Sequence, residues 1–132
     1  MNRKAGREER GLGKIFRRLA ADSKQRDDDE LTDSCDKHGA TKIKNCGDRT
    51  VVTVYGRIRN ITMQPRQGTP NLEAELWDGS GAVTLVWLGR RALSGVHPGQ
   101  QMRATGRICH VSGRRVVYNP RYELLPAEVS SD

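Results

Sequence analysis

Apolar and polar positions alternate most clearly in residues 72–88, LEAELWDGSGAVTLVWL. Apolar side chains take the even positions of residues 72–77 and the odd positions of residues 83–87, which predicts two strands that each bury one face. The intervening residues 78–81, DGSG, favour a tight turn because glycine accepts positive φ. An isolated hairpin is marginal in water, so further strands must cover its apolar face.

The same alternation predicts three more strands. Residues 50–61, TVVTVYGRIRNI, form a first strand that bends at Gly56, and residues 101–109 form a fourth. Residues 114–124, RRVVYNPRYEL, form the last strand, which is broken or at a sheet edge at Pro120. Strands spaced by about ten residues indicate a small sandwich or barrel. The fold class that fits best is all-β, a five-stranded Greek-key OB-fold barrel.

Two longer connections separate these strands. Residues 62–71 contain two prolines and a glycine and are predicted to form a loop. Residues 89–100, GRRALSGVHPGQ, are rich in turn formers and leave room only for a helical turn or two around residues 91–93.

Composition adds a strongly basic character to this picture. The net charge is +7 and the pI is near 9.8, which favours an anionic partner, nucleic acid before membrane. Residues 37–132 alone hold fourteen basic and seven acidic residues, so the predicted barrel is itself cationic. An apolar fraction of 35% and a mean hydropathy of −0.73 allow a single modest core.

The N-terminal residues divide into a basic and an acidic part. Residues 1–26 hold nine basic and three acidic residues, and residues 12–19 place Leu12, Ile15, Phe16 and Leu19 at helical spacing. They predict a short amphipathic α-helix, marginal by itself, which is either docked on the barrel or disordered. Residues 27–36, DDDELTDSCD, hold six acidic residues and no basic one, which favours a solvated linker. The alternative is an acidic patch that pairs with the basic arm or competes weakly at a nucleic-acid surface.

The predicted organisation is therefore a basic helical arm and acidic linker at residues 1–36, an OB-fold barrel at residues 37–126 and a disordered tail at residues 127–132. The chain has three cysteines, an odd number that argues against a disulfide framework. It has no apolar signal segment in the first thirty residues and no membrane-length apolar run. We therefore predict a cytoplasmic protein. Association with the nucleoid is compatible with the charge.

The strings VTVYGRI, LWDGSGAVTLVWL, PGQQMRATGRI and YNPRYELL resemble the wedge domain of RecG-type helicases. They are also similar to small stand-alone OB-fold proteins of actinobacteria. The resemblance covers about residues 50–125 and implies an OB fold that contacts DNA or RNA. It does not imply a motor, because no glycine-rich loop of the Walker A type occurs.

The sequence departs from the wedge pattern just after residues 86–87. Wedge domains place aromatic residues there that stack on bases, whereas this sequence has Leu88 and Ala92. The neighbouring Arg90 and Arg91 retain the capacity for contacts with a phosphate backbone.

The predicted nucleic-acid site combines outward arginines and aromatic rings on the strands with arginines in the loops. OB barrels bind single strands across the outer face of the first three strands, between the first and last loops. The predicted site residues are Tyr55, Arg57, Arg59, Arg66, Trp77, Arg90, Arg91, Arg103, Arg107, Arg114 and Arg115. Glu73 and Glu75 share this face, so cross-strand pairing with Arg57 and Arg59 is the competing interpretation. Trp87 is assigned to the core, and Tyr118 and Tyr122 are undecided between core edge and stacking platform.

Catalytic and metal-binding motifs are weak. Cys35, His38 and Cys46 do not form the paired knuckles of a structural zinc site, so no metal or cofactor is predicted. No nucleophile elbow is present, and Asp78 fits a turn better than a general base. The sequence thus predicts a non-enzymatic protein that binds single-stranded or branched DNA, or RNA. The alternative is a protein-interaction module that docks a repair or replication partner through residues 12–19 and the outer sheet.

Overall fold

Six strands form one sheet in the computed structural model, which describes residues 23–66 and 68–126. An α-helix, α1, occupies residues 23–37, and a short 3₁₀ helix occupies Ile43–Asn45. The strands are β1 (Thr50–Arg66), β2 (Thr69–Trp77), β3 (Ala82–Leu88), β4 (Gln101–Val111), β5 (Arg114–Tyr118) and β6 (Arg121–Leu125).

The sheet closes on itself in the order β1-β2-β3-β5-β4, because β4 also pairs with β1. All of these pairings are antiparallel except that of β3 with β5, and β6 adds to β4. This connectivity is that of a five-stranded OB-fold barrel, so the predicted fold is confirmed. β1 serves both sides of the barrel and changes partner from β4 to β2 at Arg57. The preceding Gly56 has no room for a Cβ atom, which would collide with the carbonyl of Trp77.

The core is formed by the inward positions that alternation predicts. Ala74, Leu76 and Leu85 are fully buried, and Trp87 is 5% exposed, which confirms its assignment to the core. The ring of Tyr122 packs edge-on against Trp87 with a centroid distance of 5.5 Å.

Two predicted connections and one predicted strand differ in the structure. Residues 62–71 were expected to be a loop, but β1 and β2 continue as a two-stranded ribbon in which Pro65 lies opposite Pro70. Proline is tolerated at such a ribbon end because few ladder hydrogen bonds are needed there. No helical turn forms around residues 91–93, where the chain bends at Arg91 and makes turns only from Ser94 onwards. The last predicted strand is two strands, β5 and β6, which are separated at Asn119 and Pro120.

The prediction of a solvated linker at residues 27–36 is wrong, because these residues belong to α1 and pack on the barrel. Leu31 and Cys35 lie one helical turn apart and are buried, whereas Asp29 and Asp33 are exposed. Their buried side forms a small cluster with Tyr55 on the outside of the barrel. The predicted helix at residues 12–19 and the tail at residues 127–132 lie outside the described residues. In the part of the chain that is described, no helix is long and apolar enough to span a membrane.

Candidate nucleic-acid interface

A groove of about 490 Å³ crosses the outer face of β1, β2 and β3. Most of its lining is polar and comes from side chains on the outer face of the sheet, with one residue from the start of β5, while Ile61 and the buried Ala74 contribute apolar floor. The lining residues are Asn60, Ile61, Thr62, Gln64, Glu73, Ala74, Glu75, Thr84 and Arg114. We call this surface the open groove. It lies on the face that OB barrels use for single strands.

A smaller, more apolar hollow adjoins the open groove and shares Glu73 and Arg114 with it. Its other lining residues are Asn71, Val86, Leu88, Val116 and Tyr118. Tyr118 is 43% exposed and Leu88 is 49% exposed. An exposed phenol ring beside an aliphatic floor is a surface on which a planar group can stack.

Arg114 of the open groove and Arg59 at its edge are each paired with one of the groove's two carboxylates. Arg59 Nε lies 3.5 Å from Glu75 Oε1, and Arg114 Nη2 lies 3.6 Å from Glu73 Oε1. The pairing expected as the competing interpretation is therefore present, with Arg114 in place of Arg57 as the partner of Glu73. The Arg59–Glu75 pair is partly exposed on both sides, and such pairs contribute only about 0–1 kcal/mol, so Arg59 can exchange Glu75 for a phosphate at little cost. Arg114 is 60% exposed, but its partner Glu73 is only 14% exposed, so this carboxylate stays beside any phosphate that Arg114 binds.

Tyr55, Arg57 and Trp77 lie outside the barrel core, as alternation predicts, but α1 and the residue that follows it engage all three. Tyr55 is 1% exposed, stacks on His38 at a centroid distance of 4.3 Å and donates a hydrogen bond of 2.9 Å to Gln101. The expectation of an exposed Tyr55 ring is therefore wrong, because α1 was not foreseen at this face.

The other two residues meet the carboxylates of α1. Arg57 Nη1 lies 3.0 and 2.8 Å from the two carboxylate oxygens of Asp27. Trp77 Nε1 donates a hydrogen bond of 2.7 Å to Asp28 Oδ1. The guanidinium of Arg59 lies 4.5 Å from the Trp77 ring centre, which joins this cluster to the edge of the open groove.

The remaining predicted site residues are dispersed. Arg90 and Arg91 are exposed in the connection between β3 and β4, and Arg107 is exposed on β4. Arg103 pairs with Glu123 and donates a hydrogen bond of 3.3 Å to the carbonyl of His38. Arg115 is half-buried beside the turn at residues 78–81. Arg66 ends β1 at the far end of the ribbon.

The structure thus places Arg59 and Arg114 along the open groove, with Trp77 and Arg57 beyond Arg59 at one end, and leaves the other predicted arginines apart. Asn60, Thr62, Gln64 and Thr84 line the groove with amide and hydroxyl groups but were not predicted as site residues. For Thr84, the outward position in the alternation was a usable signal. For Asn60 it was not, because continuing the alternation of residues 52–58 puts Asn60 on the buried face, and the register shift between Ile58 and Asn60 turns it outward.

Cys35 and Cys46 are buried near Asp78, which lies in the turn between β2 and β3. Burial, and after it the charge of Asp78, raises the pKa of the Cys35 thiol from 9.0 to about 12, and the same causes raise the pKa of Cys46. Both thiols are therefore protonated at neutral pH and poorly nucleophilic. Among residues 23–66 and 68–126, no group of three or more His, Cys, Asp or Glu side chains is arranged to hold a metal ion.

The closed sheet and its open groove define this chain as an OB-fold barrel. Among solved structures, it is similar to RecG bound to a three-way DNA junction, with a TM-score of 0.55 and 25% identity over 67% of this chain and 12% of that chain. It is also similar to the p204 HINb domain, with a TM-score of 0.54 and 14% identity over 65% of this chain and 47% of that chain. The chain thus spans less than half the length of either structure. The RecG-like OB fold predicted from the sequence is confirmed.

No protein-family model matches the sequence, and no curated protein matches it.

Proposed function

We propose that this protein binds nucleic acid without catalysing a reaction, and that the open groove is its binding site. The ligand is single-stranded or branched DNA, or RNA, held mainly through its backbone, in a repair or replication setting in the cytoplasm. The observation that carries the proposal is the open groove itself, where exposed Arg59 and Arg114 flank a polar floor that continues to the exposed ring of Tyr118.

The groove offers the two kinds of contact that single strands require. Arg59 can exchange its carboxylate for a phosphate, and Arg114 can contact a phosphate from its exposed side, with release of condensed counterions. The ring of Tyr118 can stack on a base, a contact worth about 1–3 kcal/mol. The amide and hydroxyl groups of the floor can bond to sugar or base edges without selecting one sequence.

The similarity to RecG supports this proposal because that structure contains a three-way DNA junction. At 25% identity the shared barrel makes a related ligand reasonable for this chain. The helicase activity does not follow from the shared barrel, since function depends on the site and not on the fold. The sequence also has no Walker A loop for a motor.

A protein-interaction role through residues 12–19 stays a prediction, since those residues lie outside the described part of the chain.

Matched arginine variants test the groove directly. Arg114→Gln removes a groove charge, and Arg107→Gln removes an equal charge from β4, outside the groove. We expect Arg114→Gln to weaken binding of a fluorescent single-stranded oligonucleotide about tenfold, measured by anisotropy, and Arg107→Gln to weaken it less than about threefold. Tyr118→Ala should weaken binding about fivefold or more. If Arg114→Gln and Arg107→Gln weaken binding equally, affinity depends only on the protein's overall charge, and the groove is not the binding site.

A further inference from the structure

The ion pair between Asp27 and Arg57 resembles the contact that an arginine makes with a bound phosphate. One guanidinium nitrogen is held by both oxygens of one carboxylate, at 3.0 and 2.8 Å. Neither side chain is sealed from solvent, with exposed fractions of 35% for Arg57 and 45% for Asp27. A phosphate presents the same charge and the same paired oxygens to a guanidinium, so it can occupy the same position.

Asp28 makes a second contact of this kind, with Trp77. In the described part of the barrel, Trp77 is the tryptophan that remains partly exposed. Its carboxylate accepts the Trp77 N–H at 2.7 Å, while the guanidinium of Arg59 lies over the same ring at 4.5 Å. The indole is thus fixed by an acidic group on its edge and a basic group on its face. A nucleobase that reached this ring would have to compete with both.

These two contacts lie at one end of the open groove. Asn60 and Glu75 line the groove and bond to each other at 3.2 Å, and Glu75 also pairs with Arg59. Arg59 in turn lies on Trp77. A strand that follows the groove past Asn60 therefore meets Trp77 and Arg57 next, where the carboxylates of α1 are already bound.

The acidic side chains can be displaced without removal of α1 from the barrel. The helix is anchored further along by Leu31 and Cys35, which are 3% and 0% exposed. Thr32 adds a hydrogen bond of 3.1 Å to the carbonyl of Asp78. Asp27 and Asp28 are only half-buried, so rotation of their side chains is enough to free their partners.

We infer that Asp27 and Asp28 are a built-in competitor for nucleic acid, holding Arg57 and Trp77 as an extension of the open groove. This inference rests on the proposed function. The two carboxylates shorten the accessible site and lower its affinity for nucleic acid. A nucleic acid long enough to reach Arg57 and Trp77 must first displace Asp27 and Asp28, which reduces the affinity that it gains there. The acidic run of α1 thus regulates the same site that the barrel provides.

Two double variants with equal charge changes test the inference. Asp27→Ala with Asp28→Ala removes the competing carboxylates, and Asp29→Ala with Asp33→Ala removes two exposed carboxylates from the same helix. Each pair exchanges the same residue types, so changes in charge and helix propensity match. We expect the first pair to bind a single-stranded oligonucleotide at least fivefold more tightly than the second. Its log affinity should also depend more steeply on log salt, by about 0.7 for one added phosphate.

A third substitution assigns the gain to Arg57. Arg57→Gln should weaken binding of the native protein less than it weakens binding of the Asp27→Ala, Asp28→Ala variant, because Asp27 already holds the guanidinium in the native protein. In the Asp27→Ala, Asp28→Ala background it should remove most of the gain. Thermal melts of every variant report whether α1 stays docked.

The outcomes separate the inference from the proposed function. Equal affinities of the two alanine pairs, or a gain that survives Arg57→Gln, would overturn the inference while leaving a groove that depends on Arg114 intact. Binding that is insensitive to Arg114→Gln, or absent altogether, would remove the proposed function and the inference with it.

Discussion

The carboxylate of Asp78 accepts a hydrogen bond of 2.7 Å from the backbone N–H of Ile43, thirty-five positions earlier in the chain. Asp78 is fully buried, and its other oxygen accepts hydrogen bonds from the backbone N–H groups of Ser80 and Gly81, at 2.8 and 3.0 Å, and from the Ser80 hydroxyl. One carboxylate therefore closes the turn between β2 and β3 and ties it to the segment that follows α1.

Replacing this carboxylate should destabilise the whole fold. Asp78→Asn keeps the shape but offers one carbonyl oxygen, so an N–H group on one side faces an amide NH₂. We expect a loss of about 3 kcal/mol in the free energy of unfolding, because buried donors are left unpaired. Urea unfolding followed by circular dichroism measures the change.

Asp48→Asn is the control for this substitution. Asp48 also accepts a backbone hydrogen bond, from His110 at 2.8 Å, but it is exposed. Its loss should stay below about 1 kcal/mol. A similar, small loss for both variants would show that Asp78 is a local turn residue and does not join the segments.

The docking of α1 depends on the absence of a side chain at Gly79. Gly79 has φ +89°, and a Cβ there would overlap the backbone carbonyl of Asp28 and the hydroxyl of Thr32. Gly79→Ala should therefore push α1 away from the hairpin, at a steric cost of about 2 kcal/mol. The Trp77 fluorescence should change as well, since its partner Asp28 moves.

Gly89→Ala separates this steric cost from backbone strain. Gly89 has φ +75°, close to that of Gly79, but a Cβ there meets nothing within 4 Å. It should cost only about 1 kcal/mol for the left-handed conformation and leave Trp77 fluorescence unchanged. If Gly79→Ala costs no more unfolding free energy than Gly89→Ala and also leaves Trp77 fluorescence unchanged, α1 does not contact the turn closely.

The buried thiol of Cys35 predicts a loss of stability in alkali. Its pKa is raised from 9.0 to about 12 in the folded protein, first by burial and then by Asp78. The stabilising effect of the neutral thiol is therefore fully present below pH 9 and is lost as pH rises towards 12. Each pH unit in this window costs about 1.4 kcal/mol.

Comparison with Cys35→Ala isolates this contribution from other groups that titrate in alkali. The native protein should lose unfolding free energy more steeply above pH 9 than Cys35→Ala does, in chemical denaturation at several pH values. Parallel slopes for the native protein and Cys35→Ala would contradict the burial of a neutral thiol.

Alternation revealed the barrel because each of its strands buries one face. Leu72, Ala74 and Leu76 lie inside as predicted, and the break at Pro120 was visible because proline cannot extend a central strand. The ribbon at residues 62–71 was missed, since its prolines and glycine are typical of loops. Only the pairing of two extended segments makes it a hairpin, and such pairing is a non-local property.

The helix α1 could not be identified from its apolar residues. Only Leu31 and Cys35 of its acidic run are buried hydrophobic residues, too few for a clear 3.6-residue period. Much of its docking is polar, through Asp27 and Asp28, whose partners lie in β1 and β2. Alternation therefore placed Tyr55, Arg57, Arg59 and Trp77 outside the barrel core, but it could not show which of them a helix would cover.

The most direct test of the nucleic-acid proposal is a salt titration of binding to single-stranded DNA, with duplex, fork and RNA as comparison ligands. If the open groove tracks a backbone, log affinity should fall linearly with log salt, by roughly 0.7 for each phosphate neutralised on a single strand. With Arg59 and Arg114 as the groove cations, a slope of about 1.4 is expected for the native protein. If none of the four ligands binds at low salt, or if affinity does not change with salt, the proposal that the open groove binds nucleic acid is contradicted.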